Sequence, residues 1–267
     1  MTEGVAVDGP APARRTGGGA LMVVPTYNEA ATIRPLLDGL RRHAPEGHVL
    51  VVDDASPDGT GGIVAAEAAD PRVHLLPRDR KQGLGNAYRA GFAWGLARGY
   101  GALGARDADL SHDPAAVPGL VAGLASADLV VGSRYVPGGR VEGWPRRRHA
   151  LSVAGNVYAR ALTGVPVRDA TSGFRVFRAC VLEHIDPAGL ESDGYAFQVE
   201  TALRAHRAGF RVVEHPIVFT ERTAGDSKLS RAVVAEAAWR VPVWAVRGRR
   251  RRHGQAVARS APRGARR

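Results

Sequence analysis

Short apolar runs alternate with helix-patterned segments through the first half of the chain, and this alternation restricts the fold more than any other sequence feature. The runs 20–24 and 48–52 are almost continuously apolar, which is typical of strands buried on both faces. Between them, residues 30–42 place apolar side chains at helical spacing, namely Ile33, Leu36, Leu37 and Leu40. The pattern predicts an α/β fold with a mostly parallel central sheet and helices on both faces.

The same reading extends along the chain to residue 219. It predicts further strands within 73–76, 100–105, 128–132 and 210–219, the last broken at Pro216. It predicts further helices over 60–69, 83–98, 114–125, 149–162 and 195–207. Residues 137–139, Pro-Gly-Gly, read as a flexible link between the alternating half and the region that follows.

Polar residues cluster where the predicted strands end. In parallel sheets, ligands bind beyond the carboxyl ends of the strands. Five clusters fall at such ends: 25–29, 53–54, 83–86, 107–109 and 133–134. Their coincidence on one edge favours a binding site there over five unrelated loops.

Asp107 and Asp109 are the most informative of these residues. Their i, i+2 spacing places both carboxylates on one face of extended backbone. Such a pair favours a hard divalent cation, Mg²⁺ or Mn²⁺, that shares its coordination shell with a phosphorylated ligand. Taken alone, the pair also fits an ordinary acidic turn in which Asp113, before Pro114, caps the next helix. The coincidence of polar clusters on one edge favours the cation site.

Composition limits the class of protein. The single cysteine, Cys180, excludes an internal disulfide and fits a reducing compartment. The chain opens without a secretory signal pattern, and no uninterrupted apolar run reaches the roughly 20 residues that span a bilayer. We expect a disordered leader over 1–19, a catalytic domain over 20–230, and a C-terminal helix with an arginine-rich tail over 231–267.

The tail carries most of the net charge of +11, because residues 240–267 are rich in arginine and contain no acidic residue. Such a block of like charges binds anionic lipid headgroups or nucleic acid, or it is solvated and has no binding partner. Trp239 and Trp244 suit either a membrane interface or a helix docked on the domain. The run Arg146 to Arg148 offers a further membrane contact.

Taken together, seven motifs resemble the family-2 glycosyltransferases, and more narrowly the dolichyl- or polyprenyl-phosphate mannose synthases. The resemblance covers roughly residues 20–230. The motifs are PTYNE (25–29), VDDASPDGT (52–60), GLG (83–85), DADLSHDP (107–114), GSRY (132–135), TSGFR (171–175) and ER…SK (221–228).

The resemblance implies a GT-A nucleotide-diphospho-sugar fold and a role for each motif. Donor binding falls to Pro25, Tyr27, Glu29, Asp53, Asp54, Gly83, Asp107 and Asp109. Donor or acceptor phosphates would be bound by Arg134, Arg175, Arg222, Ser227 and Lys228. The residues implied in catalysis are Asp107, Asp109 and Arg134, and those implied in metal binding are Asp107, Asp109 and Ser111.

The sequence departs from the resembled family beside the acidic motif. Ser111 stands where some relatives have a glutamine ligand, and Ala105-Arg106 stand where many have Glu-Met. A buried Arg106 beside the metal carboxylates is expected to pair with one of them and to weaken metal binding. For His112 and Asp113 we expect loop hydrogen bonding and helix capping, not the role of a catalytic base.

The implied reaction is an inverting, metal-dependent transfer of mannose from GDP-mannose to a polyprenyl monophosphate. We expect peripheral contact with the cytoplasmic face of a membrane, and the sequence leaves open whether a membrane-spanning partner protein is needed. UDP-glucose or another nucleotide sugar, a non-lipid acceptor, a degenerate scaffold and nucleic-acid binding through the tail stay open as alternatives. No recognised nucleic-acid motif accompanies the tail, and no G-x-G-x-x-G follows the first strand.

Overall fold

The computed structural model describes residues 19–67, 69–190, 192, 194–221 and 239–244. The strands are β1 Ala20–Thr26, β2 His48–Asp53, β3 Val73–Pro77, β4 Ala102–Ala105, β5 Leu129–Ser133, β6 Arg140–Glu142, β7 Arg175–Arg178, β8 Val212–Pro216 and β9 Val218–Thr220. The helices are α1 Ala30–His43, α2 Thr60–Ala66, α3 Leu84–Ala97, α4 Val117–Gly123, α5 Arg146–Thr163, α6 Ala179–Ile185 and α7 Gly194–Arg207. Two 3-10 turns cover Pro114–Ala116 and Pro187–Gly189.

A seven-stranded sheet in the order β3-β2-β1-β4-β7-β5-β8 forms the centre of the molecule. Every pair in it is parallel except the two that β7 makes with β4 and β5. The predicted mostly parallel sheet is therefore confirmed. The strands β6 and β9 form a separate parallel pair, which begins right after the Pro137–Gly139 link.

Helices cover both faces of the sheet, as the continuous apolar strands predict. On one face Leu21, Val23, Leu50 and Val52 pack with residues of α3, α6 and α7. On the other face Met22, Val24, Val49 and Val51 pack with residues of α1, α2 and α4. Burial on both faces explains why these strands lack the alternation of polar and apolar residues found in half-exposed strands.

Glycines allow α3 to lie unusually close to the sheet. A Cβ atom added at Gly95 would come within 2.5 Å of a Leu103 methyl group and 2.8 Å of a Leu21 methyl group. Such distances are far shorter than a normal carbon contact, so α3 is held at its present depth by the absence of a side chain there. Gly91 of the same helix faces Val23 and Val52, later along β1 and β2, so the N-terminal end of α3 points to the edge where those strands end.

The position of β7 decides what surrounds the acidic motif. Because β7 runs antiparallel between β4 and β5, its first residue, Arg175, lies at the edge where those strands end. The segment 169–174, which leads into β7, therefore meets the segment 106–113, which follows β4. The alternating pattern of the sequence predicted neither this reversal nor the short helix α6.

Candidate active site

The acidic motif follows β4 directly and lies at the carboxyl edge of the sheet. The Asp109 side chain is buried, and its Oδ1 accepts a hydrogen bond of 3.1 Å from the Ser111 backbone N–H. Leu110 has a φ of 60°, so the chain turns sharply between these two residues. A Cβ atom at Gly173 would lie 3.3 Å from Oδ2 of Asp107, so the glycine leaves room beside that carboxylate.

Arg106 lies fully buried beneath the motif. Its Nη2 donates to the carbonyl oxygen of His112 at 2.7 Å, and its Nε lies 3.4 Å from the carbonyl oxygen of Asp107. Burial lowers the pKa of the guanidinium to about 10, while Asp107 and Asp109 raise it, so the group is charged at pH 7. The expected pairing therefore takes another form: hydrogen bonds tie Arg106 to the backbone of the loop, and its charge acts on the carboxylates through space.

His112 and Asp113 complete the loop after the motif. The His112 ring packs against Phe174 and Phe219, with ring centroids 5.1 and 5.3 Å away. Burial lowers the pKa of His112 to about 3, so the imidazole is neutral at pH 7. Asp113 Oδ1 accepts a hydrogen bond from the Ala115 N–H, which confirms the predicted cap.

The donor set at the motif fits a hard divalent cation. The Ser111 side chain is buried, and its hydroxyl has no hydrogen-bond partner among the described residues. An orphaned buried hydroxyl beside two carboxylates is the kind of oxygen set that Mg²⁺ or Mn²⁺ prefers. No group of three or more His, Cys, Asp or Glu side chains forms a metal cluster within the described part of the chain.

Asp53 is the last residue of β2 and Asp54 follows it, and both side chains have protein partners. Asp53 Oδ1 accepts hydrogen bonds from the hydroxyls of Thr26, at 2.8 Å, and Ser56, at 2.6 Å. The Asp54 carboxylate pairs with Arg78 at 2.8 Å and accepts a hydrogen bond from the Gln82 N–H at 3.0 Å. Asp53 therefore organises the loops after β1 and β2, and Asp54 links β2 to the loop before α3.

The remaining predicted donor-binding residues lie along the same edge. Pro25 is buried within β1, and Glu29 accepts a hydrogen bond from the Thr32 hydroxyl at 3.0 Å. The Tyr27 ring lies 3.9 Å from the Lys81 ammonium. Gly83 has a φ of 93°, a conformation that favours glycine, at the residue before α3. The contact between Tyr27 and Lys81 joins the first predicted cluster to the loop just before the third.

Arg134 follows β5 and is held by a partner that the sequence reading missed. Its Nε and Nη2 donate to the two carboxylate oxygens of Asp169 at 2.7 and 2.6 Å, and both side chains are buried. Nη2 also donates to the Thr171 hydroxyl at 3.0 Å. The role of Arg134 toward a phosphate stays a prediction, and its charge is already shared with Asp169. No sequence signal marks this pair, which is separated by 35 residues.

Arg175 does not support its predicted role in phosphate binding. The side chain is fully buried, and all its N–H groups point to protein acceptors. These acceptors are the carbonyl oxygens of Ala170, Ser172 and Gln198 and the hydroxyl of Thr201. Burial lowers the pKa of Arg175 to about 10. The corrected role is structural: Arg175 ties the loop before β7 to α7.

The predicted phosphate-binding residues Arg222, Ser227 and Lys228 lie outside the described residues. Glu221, just before them, pairs with Arg148 at the start of α5. That guanidinium also lies 4.2 Å from the ring centroid of Trp144. The start of α5 is therefore fixed to the segment that leads into the predicted loop.

A cationic cavity of about 540 Å³ opens beside Arg134. Arg140, Arg146, His149 and Arg168 contribute its cationic or basic lining, and all four side chains are exposed. The aromatic part of the wall is provided by Trp144 and Tyr135. The sequence reading had assigned only Arg146 a role, as a membrane contact, because the other residues come together only in the folded chain.

The two tryptophans of the C-terminal segment differ in environment. Trp244 is buried in the core on the α6 and α7 face, with Val241 beside it in the same cluster, whereas Trp239 is 75% exposed. The Trp244 carbonyl accepts a hydrogen bond from Arg207 at 3.0 Å. The packed core thus extends past the predicted boundary at residue 230. Among the described helices, none combines the length and the apolarity needed to cross a membrane.

A family model described as glycosyl transferase family 2 matches residues 22–186, which include the acidic motif, the donor-side loops and Arg134. The chain belongs to glycosyltransferase family 2. The match confirms the family that the motifs resemble, and it makes this glycosyltransferase an enzyme of sugar transfer. It covers neither the segment from β8 onward nor the tail.

Two curated relatives resemble this glycosyltransferase along most of its length. A polyprenol monophosphomannose synthase of Mycolicibacterium smegmatis is 50% identical over 242 residues, which cover 89% of each chain. An undecaprenyl-phosphate mannosyltransferase of Micrococcus luteus is 49% identical over 230 residues, which cover 86% of this chain and 95% of the relative.

Solved structures support the fold. A glucosyl-3-phosphoglycerate synthase of Mycobacterium tuberculosis, in complex with Mn²⁺, UDP and glucosyl-3-phosphoglycerate, superposes with a TM-score of 0.63 at 21% identity. The alignment covers 86% of this chain and 81% of that one. The same enzyme with Mn²⁺ and UDP-glucose gives a TM-score of 0.61 over 88% of this chain and 80% of that one, at 19% identity. The predicted GT-A fold is confirmed.

Proposed function

We propose that this glycosyltransferase moves mannose from GDP-mannose to a polyprenyl monophosphate. One observation carries the proposal: relatives of about the same length, half identical to this chain, are named for making polyprenyl-phosphate mannose. The geometry of the carboxyl edge supports it, because carboxylates and cationic side chains lie along the path that a sugar diphosphate and an acceptor phosphate would share.

On the donor side, Asp107, Asp109 and the Ser111 hydroxyl would hold a Mg²⁺ or Mn²⁺ ion. Such an ion, when bound, supplies positive charge that stabilises the leaving diphosphate. Arg106 fixes the loop that carries these groups, so their positions need little rearrangement when the donor binds. Pro25, Tyr27 and Glu29 would contact the nucleoside, with Asp53 and Asp54 supporting the loops behind them.

On the acceptor side, the nucleophile needs no dedicated base. A phosphate monoester oxygen is largely ionised at pH 7, since its second pKa is about 6. His112 is buried and neutral with a pKa of about 3, so it is a poor proton acceptor, and Asp113 is occupied as a cap. Direct attack on the anomeric carbon inverts it, so an α-linked donor yields a β-linked product.

The cationic cavity beside Arg134 would hold the acceptor phosphate. Arg140, Arg146 and Arg168 are exposed around it, whereas Arg134 and Arg175 are buried with protein acceptors for their N–H groups. Of the exposed three, Arg140 also pairs with the exposed Glu142 at 2.7 Å. Arginine suits a phosphate because its fork of donors matches two oxygens at once. The helix α5 starts at this cavity, so a lipid with its phosphate there would run along α5.

The surface of α5 is suited to a lipid bilayer. Five large apolar side chains of this helix are exposed: Leu151, Val153, Val157, Tyr158 and Leu162. Exposed apolar surface of this extent marks an interaction site, and the arginines at the start of α5 complement anionic headgroups. We propose that α5 lies in the membrane surface, on the cytoplasmic side, and that the arginine-rich tail adds electrostatic attraction.

The test is a transfer assay with purified enzyme and polyprenyl phosphate in vesicles. Radiolabelled GDP-mannose and UDP-glucose are supplied in parallel, and label is counted in the organic extract. We expect label from GDP-mannose only, with divalent cation required and a β linkage in the product. Label from UDP-glucose alone would overturn the donor, and an α linkage would overturn the inverting displacement.

Thermal unfolding provides a second measurement that needs no acceptor. A ligand that binds only the native state stabilises it by RT ln(1 + [L]/Kd), so at equal concentration the tighter ligand raises the melting temperature more. We expect GDP with Mn²⁺ to raise it more than UDP with Mn²⁺. The reverse order would favour a uridine nucleotide as donor, whatever the outcome with the lipid.

A further inference from the structure

Two histidines and a tyrosine meet at the edge of the sheet opposite the candidate active site. His48 is the first residue of β2, His74 is the second residue of the edge strand β3, and Tyr100 lies two residues before β4. The candidate active site follows the last residues of these same strands. The length of the sheet therefore separates the two places.

Three polar atoms of this cluster converge. His48 Nδ1 lies 3.1 Å from His74 Nε2 and 2.9 Å from the Tyr100 hydroxyl, and the hydroxyl lies 3.4 Å from His74 Nε2. The two imidazole rings stack with centroids 5.4 Å apart. All three side chains are partly exposed, so the cluster is open to solvent.

We propose that His48, His74 and Tyr100 form a second metal site, for a borderline divalent ion of the Zn²⁺, Cu²⁺ and Ni²⁺ class. Tetrahedral zinc with bonds of about 2.0 to 2.1 Å separates its ligand atoms by about 3.3 to 3.4 Å. The separation of the Tyr100 hydroxyl from His74 Nε2, 3.4 Å, matches this spacing, and the other two, 2.9 and 3.1 Å, are shorter than it by about half an ångström or less. One point therefore lies at bonding distance from all three atoms, with the fourth position left for water.

The proton balance of this binding is simple. Each imidazole binds the ion through the nitrogen that faces the cluster and keeps its single proton on the other ring nitrogen. Burial raises the pKa of the Tyr100 phenol, so its proton leaves for solvent only as the bond to the ion forms. Burial, together with His48 and Arg98, lowers the pKa of His74, which favours the neutral ring that metals require.

The surroundings of the cluster hold the ligands in place. The Trp94 ring packs against His74 with centroids 4.9 Å apart and stacks on Tyr100 with centroids 6.2 Å apart. The Arg98 guanidinium lies over the Trp94 ring, 3.7 Å from the ring centroid. A bound ion would link the edge strand β3 to β2 and to the segment just before β4. This link would lie far from the candidate active site.

The experiment is a calorimetric titration of the chelator-treated full chain with ZnCl₂. The variants are His48→Gln, His74→Gln and Tyr100→Phe, and His184→Gln on α6 is the matched control. We expect the wild type and the control to show one Zn²⁺ site beyond any binding at Asp107 and Asp109. Either cluster histidine variant should weaken this site about tenfold or more, at least the effect of losing a group that only orients a metal ligand. Unchanged affinity and stoichiometry in His48→Gln and His74→Gln would overturn the proposal.

A second measurement keeps the proposal testable if a variant unfolds. Substoichiometric Cu²⁺ is added to wild-type protein, and amide signals are followed by NMR. We expect paramagnetic broadening to begin at the starts of β2, β3 and β4. Broadening that begins elsewhere would overturn the site, and neither outcome depends on the sugar-transfer proposal.

Discussion

Charge, more than shape, is what we expect Asp107 and Asp109 to contribute to the proposed cation site. Replacing either carboxylate with an amide keeps the volume and removes a negative charge from that site. We expect Asp107→Asn and Asp109→Asn each to lower kcat by about 10²- to 10³-fold, the effect typical of losing one electrostatic contact to the transition state. Initial rates of mannose transfer measure this loss.

The control for these variants is Asp38→Asn, an exposed carboxylate of α1 that pairs with Arg41 at 3.3 Å. It should leave the rate unchanged. The melting temperatures of all three variants should stay close to that of the wild type. An Asp107→Asn enzyme that keeps a tenth or more of the wild-type rate would contradict the assignment.

Arg175 is expected to affect stability because its hydrogen bonds all serve the protein interior. In Arg175→Gln the carbonyl oxygens of Ala170, Ser172 and Gln198 lose donors they cannot replace with water. Each unsatisfied buried group costs about 1 to 3 kcal/mol, so the free energy of unfolding should fall by about 3 kcal/mol or more. Urea denaturation measures it.

Arg160→Gln is the matched control, since Arg160 is exposed on α5. It should change the free energy of unfolding by less than about 0.5 kcal/mol, as expected for a surface substitution. A fully stable Arg175→Gln protein with weakened phosphate binding would restore the role that the sequence had predicted for this residue.

At the scale of single elements, α5 stands apart from the other helices. Only Asn156 and Ala159 of its residues are buried. Five of the six exposed large apolar residues of the described chain belong to α5, and the sixth is Trp239. A helix that buries so little surface against its own domain is stabilised by contact with another apolar medium. The bilayer that would contain the proposed polyprenyl acceptor is such a medium.

The double variant Leu151→Gln with Val157→Gln tests this contact. Each apolar side chain gains about 1.5 to 3 kcal/mol when it leaves water, so the affinity for anionic vesicles should fall by about tenfold or more. The pair Leu151→Met with Val157→Ile keeps the surface apolar and should bind vesicles as the wild type does. Vesicle co-sedimentation measures both pairs.

Loss of self-association in the double variant, with vesicle binding unchanged, would assign the α5 surface to contact between copies of the chain. Nucleotide protection against thermal unfolding should be the same in all these variants, because the donor-side loops follow β1, β2 and β4. Activity of the purified chain in vesicles also shows whether a membrane-spanning partner protein is needed.

At the scale of the whole molecule, the core and the tail meet at Trp244. Truncation after Trp244 keeps Val241 and Trp244 in the core and removes the arginines beyond. We expect the melting temperature to be retained and vesicle binding to weaken, since each arginine near an anionic surface contributes about 1 kcal/mol. Truncation before Trp239 should lower the melting temperature as well.

Lipid turnover should fall with vesicle binding in the first truncation, while the affinity for GDP stays the same. Equal losses in melting temperature, vesicle binding and GDP affinity would show that the segment after Trp244 belongs to the catalytic domain. The domain boundaries at residues 20 and 230 stay predictions. Val241 and Trp244 belong to the packed core, although they lie beyond the predicted boundary at residue 230.

The sequence by itself determined the strands β1 to β5, the helices between them and the edge where the polar clusters meet. These features follow from local periodicity, because a strand buried on both faces or an amphipathic helix has a pattern of its own. Asp107 and Asp109 could be selected as candidates for the same reason: the proposed cation site needs only two carboxylates at the end of one strand.

Only the tertiary structure decided how the cationic residues are used. Arg134 and Arg175 occur in similar motif contexts. Arg134 nevertheless pairs with Asp169, whereas Arg175 donates its hydrogen bonds mainly to carbonyl oxygens. The antiparallel insertion of β7 creates both environments. The exposed arginines that line the cavity come from separate segments of the chain. The partner of a buried guanidinium depends on residues that are distant in sequence and come together only in the folded chain. A local sequence pattern therefore does not predict it.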